Sequence, residues 1–241
     1  MYDLTGFSLR DMTTCGSVLR KLGDDAASME EAASRVVRHL YEALCAPGTT
    51  EPACALARFF VTVPYAELEP ELQQFAQRVF PESANHPQMR CLTLLATAGA
   101  EATWNDRRSS AGHQALPLPS EEAVSRSPMI AQLIAQLGVR VSAVVSPAPD
   151  FVLATPQPTY NIFHVAEALG SPFIPAQREF VEPYGIRAVL GFGGMLPTGD
   201  LFATILFSRH PIPRETADMF KTLALNVKVA IMPFAGGRVF A

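Results

Sequence analysis

Two apolar runs, Ile186–Leu196 and Leu201–Ser208, are separated only by Pro197-Thr198-Gly199-Asp200. Proline, glycine and aspartate supply the backbone angles and side-chain acceptors of a tight turn, so the pair reads as a β-hairpin. A hairpin this long and apolar must be one part of a larger antiparallel sheet, because two strands alone are only marginally stable in water. The glycines at 191, 193 and 194 inside the first strand mark a bulge or a close approach of another backbone.

Further elements follow from periodicity. Ser28 and Glu31 form a capping-box pattern ahead of a helix over 29–44, whose Val36, Val37, Leu40, Tyr41 and Leu44 fall on one face. Pro47-Gly48 ends it. Residues 55–63 and 88–98 read as strands, 65–80 and 129–137 as helices, and 139–145 and 150–154 as further strands. Residues 160–169 read as a helix closed by Gly170, and 177–184 as a turn or short helix. The last helix, 214–232, is apolar on more than one side, which predicts a partner helix. Segment 99–127 is a long connection, of a kind that is often functional. Residues 1–27 show only a short helix near 17–22. The expected class is α+β, an antiparallel sheet of five to six strands flanked by helices, with the N- and C-terminal helices packing together.

Composition narrows the function classes. A net charge of −4 leaves no basic surplus for a phosphate backbone, so nucleic-acid binding is not expected. No apolar stretch approaches the length of a membrane span, and Met1–Arg20 lacks a secretory pattern; the expected location is the cytoplasm. The cysteines at 15, 45, 54 and 91 form no C-x-x-C pair and no zinc spacing, which predicts free thiols. Cys45 and Cys54 flank the Pro-Gly turn and could approach one another.

The segment Phe180-Val181-Glu182-Pro183-Tyr184-Gly185-Ile186-Arg187-Ala188-Val189-Leu190-Gly191 is similar to the lead into the last hairpin of GAF domains. The following strand and helix, and the opening Ser28-Met29-Glu30-Glu31 helix, resemble the same family. The resemblance covers residues 28–233, with insertions at 64–87 and 99–127, an N-terminal extension over 1–27 and a tail over 234–241. It implies a small-molecule sensory domain, dimeric through its first and last helices and joined to an output module, and not an enzyme. The residue set of cyclic-nucleotide GAF domains, the bilin-attaching cysteine of phytochromes and the three-cysteine arrangement of free-methionine-sulfoxide reductases are not evident. The ligand, and any cofactor, stay unnamed.

Candidate ligand-binding residues are Trp104, Arg107, Arg108, Ser110 and His113 in the long connection, where guanidinium and hydroxyl groups suit an anion. The alternative is a solvated loop anchored by Trp104, Leu116 and Leu118. Phe163 and Phe192 could line an aromatic cavity or simply be core. His164, placed on the 160–169 helix, and His113 could ligate haem, or be ordinary edge histidines. No catalytic or metal-binding set is assigned. Two other readings stay open: a cysteine-based redox enzyme using Cys91 or Cys15, and a dimerisation domain without a ligand.

Overall fold

The computed structural model describes residues 1–147 and 161–241. The strand expected over 150–154 lies outside the described residues. At the centre is a six-stranded, wholly antiparallel sheet. Its strands are β3 (Cys54–Pro64), β4 (Arg90–Gly99), β5 (Ala115–Pro117), β6 (Ile162–Val165), β7 (Ala188–Met195) and β8 (Leu201–Ser208), in the order β5-β4-β3-β8-β7-β6. A two-residue parallel ribbon joins β1 (Tyr2–Asp3) to β2 (Leu44–Cys45). β3 and β8 sit in the middle, covered on both faces, which is why both read as near-continuous apolar runs.

The predicted hairpin is β7–β8. Leu196 N–H donates to Asp200 O at 2.7 Å, and Gly199 takes φ +82° at the tip, a region costly for any residue with a Cβ. The glycine-rich stretch of β7 is a close backbone approach: a Cβ on Gly193 would stand 2.0 Å from the Phe202 carbonyl oxygen.

Helices form a layer on each face. On one side α1 (Leu9–Leu19), α2 (Met29–Ala43) and α7 (Arg214–Ile231) cover the sheet, with α3 (Pro70–Val79) at the edge. Stacked Phe59 and Phe202 (6.1 Å) and the Phe192–Phe220 pair (5.3 Å) fill this core. Each such phenylalanine contributes about 1.5–3 kcal/mol of burial. On the other side lie α4 (Glu121–Ser125), α5 (Pro128–Gln136) and α6 (Val141–Val145) over a second apolar cluster that includes Phe60, Leu133, Phe163, Val189 and Ile205. The fold is therefore α+β and three-layered, as expected, with the terminal helices packed together.

α2 starts as its sequence predicts. Ser28 Oγ accepts from Glu31 N–H at 3.1 Å, while the Glu31 carboxylate reaches back one residue further, to Ala27 N–H at 2.8 Å. Two more N–H groups of its first turn, those of Met29 and Glu30, donate to the carbonyls of Arg238 and Val239. The segment read as a tail thus caps a helix whose first N–H groups have no partner within it.

Five expectations are corrected. The partner helix for α7 is α1, which belongs to this same chain. Ser8 and Asp11 supply a full capping box for α1, and Leu4, Phe7, Cys15 and Leu19 are fully or nearly fully buried. Residues 1–27 are thus part of the core. Leu223 is wholly buried within this chain; the large apolar residues that α7 leaves exposed are Leu225 and Val229, with Met232 just beyond. Residues 141–145 form helix α6 instead of a strand. Residues 162–165 form strand β6 instead of a helix, since β7 offers an open edge and pairing with it satisfies backbone groups that a short helix would leave to solvent. Finally, 65–80 is not one helix: a 3-10 turn over Tyr65–Glu67 precedes α3, which begins at Pro70.

Candidate functional site

On the α5 side of the sheet lies an apolar cleft of about 70 Å³, lined by Arg58, Phe60, His113, Met129, Leu133 and Phe207, among others. β3 contributes Arg58 and Phe60, two residues apart and therefore on one face. β8 contributes Phe207, and α5 forms the roof. Arg58 is the only charged residue in the eleven residues of β3.

Burial pushes the pKa of Arg58 down. Its Nη2 donates to Ser110 Oγ at 3.3 Å, but its buried Nε–H has no acceptor. Among the described residues no carboxylate pairs with it. Thr97, in register with Arg58 on β4, is buried with its hydroxyl likewise unpartnered. His113 has φ +62°, an uncommon angle for a residue with a side chain. Its loop is held by Ser110 Oγ donating to Gly112 O (2.6 Å), Gln114 Nε2 to Ser110 O (2.6 Å) and Leu94 N–H to Gln114 O (2.9 Å). One side of His113 faces solvent and the other lines the cleft. The packing around it, and then the Arg58 charge, push its pKa down, which favours neutral imidazole.

The eight residues singled out in the sequence do not converge on one place. His113 lines the cleft, and Ser110 accepts from Arg58, which lines it. Trp104 packs next to it, 5.6 Å from Phe180 and 4.5 Å from Tyr184, and Phe180 in turn meets Phe207 at 5.0 Å. Phe163 lies in the core on the cleft side, while Phe192 is on the opposite face against Phe220. His164 also points to the opposite face, with Nε2 3.0 Å from Ile212 O, so His113 and His164 cannot bracket a common group. Arg107 turns away from the cleft to the carboxylates of Glu30 and Glu69, and Arg108 is exposed at 3.8 Å from both. Arg58 and Thr97 were missed. The available signal was a single charge inside an otherwise apolar strand.

A second, larger concavity of about 180 Å³ sits at the other end of β3 and holds Thr62, Arg90 and Asp200. Its one arginine is already paired, Arg90 Nη1 to Asp200 Oδ1 at 2.7 Å. The cysteines are free and buried. Burial pushes the thiols of Cys15, Cys54 and Cys91 up to about 12, which suppresses the thiolate that redox chemistry needs. Among the described residues no group of three or more His, Cys, Asp or Glu is placed to hold a metal ion. None of their helices is long and apolar enough to cross a membrane.

No family model and no curated protein matches the chain. Solved structures do. Free methionine-R-sulfoxide reductase from Neisseria meningitidis, in complex with its substrate, aligns with a TM-score of 0.51 at 10% identity, over 97% of this chain and 96% of that one. The GAF domain of a phosphoenolpyruvate-protein phosphotransferase from Coxiella burnetii aligns at 0.44 and 14% identity, over 92% and 93%. The chromophore-binding domain of a bacteriophytochrome from R. palustris aligns at 0.43 and 9%, over 94% of this chain and 63% of that one. The first of these corrects the expectation that the chain is not an enzyme. An enzyme carries this fold over nearly the whole length, and fold by itself does not assign or exclude catalysis. The antiparallel sheet, the layer of terminal helices and the alignment with the reductase along nearly the whole of both chains show that this chain shares that enzyme's fold.

Proposed function

We propose that this chain is a small-ligand-binding sensory domain whose ligand enters the cleft between the sheet and α5. The observation that carries this reading is the reach of one short loop. Residues 110–113 border the cleft through Ser110 and His113, and three residues earlier Arg107 grips Glu30 at the start of α2. Occupancy of the cleft would bear on Arg58 and Ser110, and Arg107 would carry any shift of the loop to α2 and to the C-terminal segment that caps it. A ligand that favours one arrangement of this loop shifts the population of both ends.

The test starts with protein purified natively, then denatured and extracted for mass spectrometry. A released small molecule, added back to stripped protein, should raise the melting temperature. It should also slow amide exchange in residues 107–114 and 28–33 together. No released molecule, and no thermal shift across a broad metabolite library, would reject the reading.

A further inference from the structure

We infer that the cleft selects a monocarboxylate with a short apolar tail, anchored by Arg58. The inference rests on the cleft being a ligand site, and it goes further by naming the ligand's chemistry. A guanidinium partly withdrawn from water beside Phe60, Leu133 and Phe207, with its Nε–H fully buried, is costly unless an anion or several acceptors meet it. Arg58 has one neutral acceptor, Ser110 Oγ, and a buried Nε–H with none. A carboxylate offers two in-plane oxygens, the geometry that a guanidinium edge matches.

Charge sets the valence. Among the described residues lining the cleft Arg58 is the one fixed cation, and His113 beside it is biased towards the neutral form. One positive charge balances a monoanion and leaves a phosphate dianion under-neutralised. Size sets the tail. The cavity, about 70 Å³, is far smaller than the roughly 300–1,000 Å³ of sites for drug-sized ligands. That admits a carboxylate and a few carbons, which would lie against Met129, Leu133 and Phe207.

The probes are propanoate, its neutral analogue propanamide and inorganic phosphate, titrated into the full chain. Binding is followed by ¹⁵N NMR of the arginine Nε–H signals, with the Arg58 signal identified by its loss in Arg58→Lys. Propanoate is expected to shift the Arg58 signal and to bind at least tenfold more tightly than propanamide. Arg58→Met should abolish this preference and Arg58→Lys should keep part of it. If Arg58→Met does not fold, the wild-type titration and the Lys variant decide. Equal binding of propanoate and propanamide would overturn the carboxylate assignment and leave the cleft as a ligand site. Tighter binding of phosphate would overturn the monoanion class. Binding of none of the probes, with no released molecule in the extraction above, would remove both readings.

Discussion

Arg107 and Glu30, 77 residues apart in the chain, meet as a buried two-pronged pair: Nε to Oε1 at 2.5 Å and Nη2 to Oε2 at 2.9 Å. The same guanidinium reaches Glu69 at 2.6 Å and lies over the Phe240 ring, and Glu30 also accepts from Ala241 N–H at 3.0 Å. Four parts of the chain meet here: the 99–114 loop, α2, the start of α3 and the C-terminal residues. Arg107→Ala would leave Glu30 buried without its main partner, a loss of about 3–5 kcal/mol by urea denaturation. Combining Arg107→Met with Glu30→Leu removes both buried charges and should recover much of that loss. A single-variant loss below about 1 kcal/mol would show that the pair is only a surface contact.

α1 and the turn that follows it meet α7 through glycines. A Cβ on Gly23 would stand 1.9 Å from the backbone oxygen of Ala230, whereas one on Gly16 would meet the Asn226 side chain at 2.7 Å. Backbone cannot yield as a side-chain amide can. Gly23→Ala should cost about 1–3 kcal/mol or more. Gly16→Ala should cost less, since alanine also favours the helix by about 1 kcal/mol. Thermal unfolding of the two variants side by side checks the order.

Substitutions along α7 should separate folding from association. Leu223 has no exposed surface, so Leu223→Arg buries an unpaired charge and should prevent the accumulation of folded protein. Leu225 is 46% exposed, and Leu225→Arg should leave stability within about 0.5 kcal/mol of the parent. Circular dichroism and light scattering on both variants give fold and mass together. Folded Leu223→Arg would contradict the packing described here.

Mild acid should weaken the fold. Burial is the largest influence on His39, His113 and His164, and it lowers each from the ordinary 6.5. A group with a depressed folded pKa binds protons more readily when unfolded. Stability is therefore complete above about 6.5 and falls as pH drops from there towards the folded values. The Nε2 of His39 is buried without a partner. His39→Leu should show a smaller fall between pH 7.5 and 5.5 in urea titrations, and an unchanged fall would remove His39 as a contributor.

Local chemistry made much of the fold legible. The 197–200 turn, the Ser28 cap, the strands over 54–64 and 90–99 and the last helix all depend on neighbouring residues, so their sequence patterns carried through. Elements that depend on distant partners did not. Val139–Val145 is rich in β-branched residues but pairs with no strand among the described residues and forms α6 in part. Residues 162–165 have a helix-like pattern but extend because β7 is waiting. The candidate site divides in the same way. The sequence alone marked the 99–127 connection and, within it, Ser110 and His113. Which face each side chain takes was decided only by the pleat and pairing of the sheet. That is why Phe163 and Phe192, pooled by composition, lie on opposite sides, and why the lone charge of the 54–64 strand, visible in the sequence, gained a role only once the sheet placed Arg58 in the cleft.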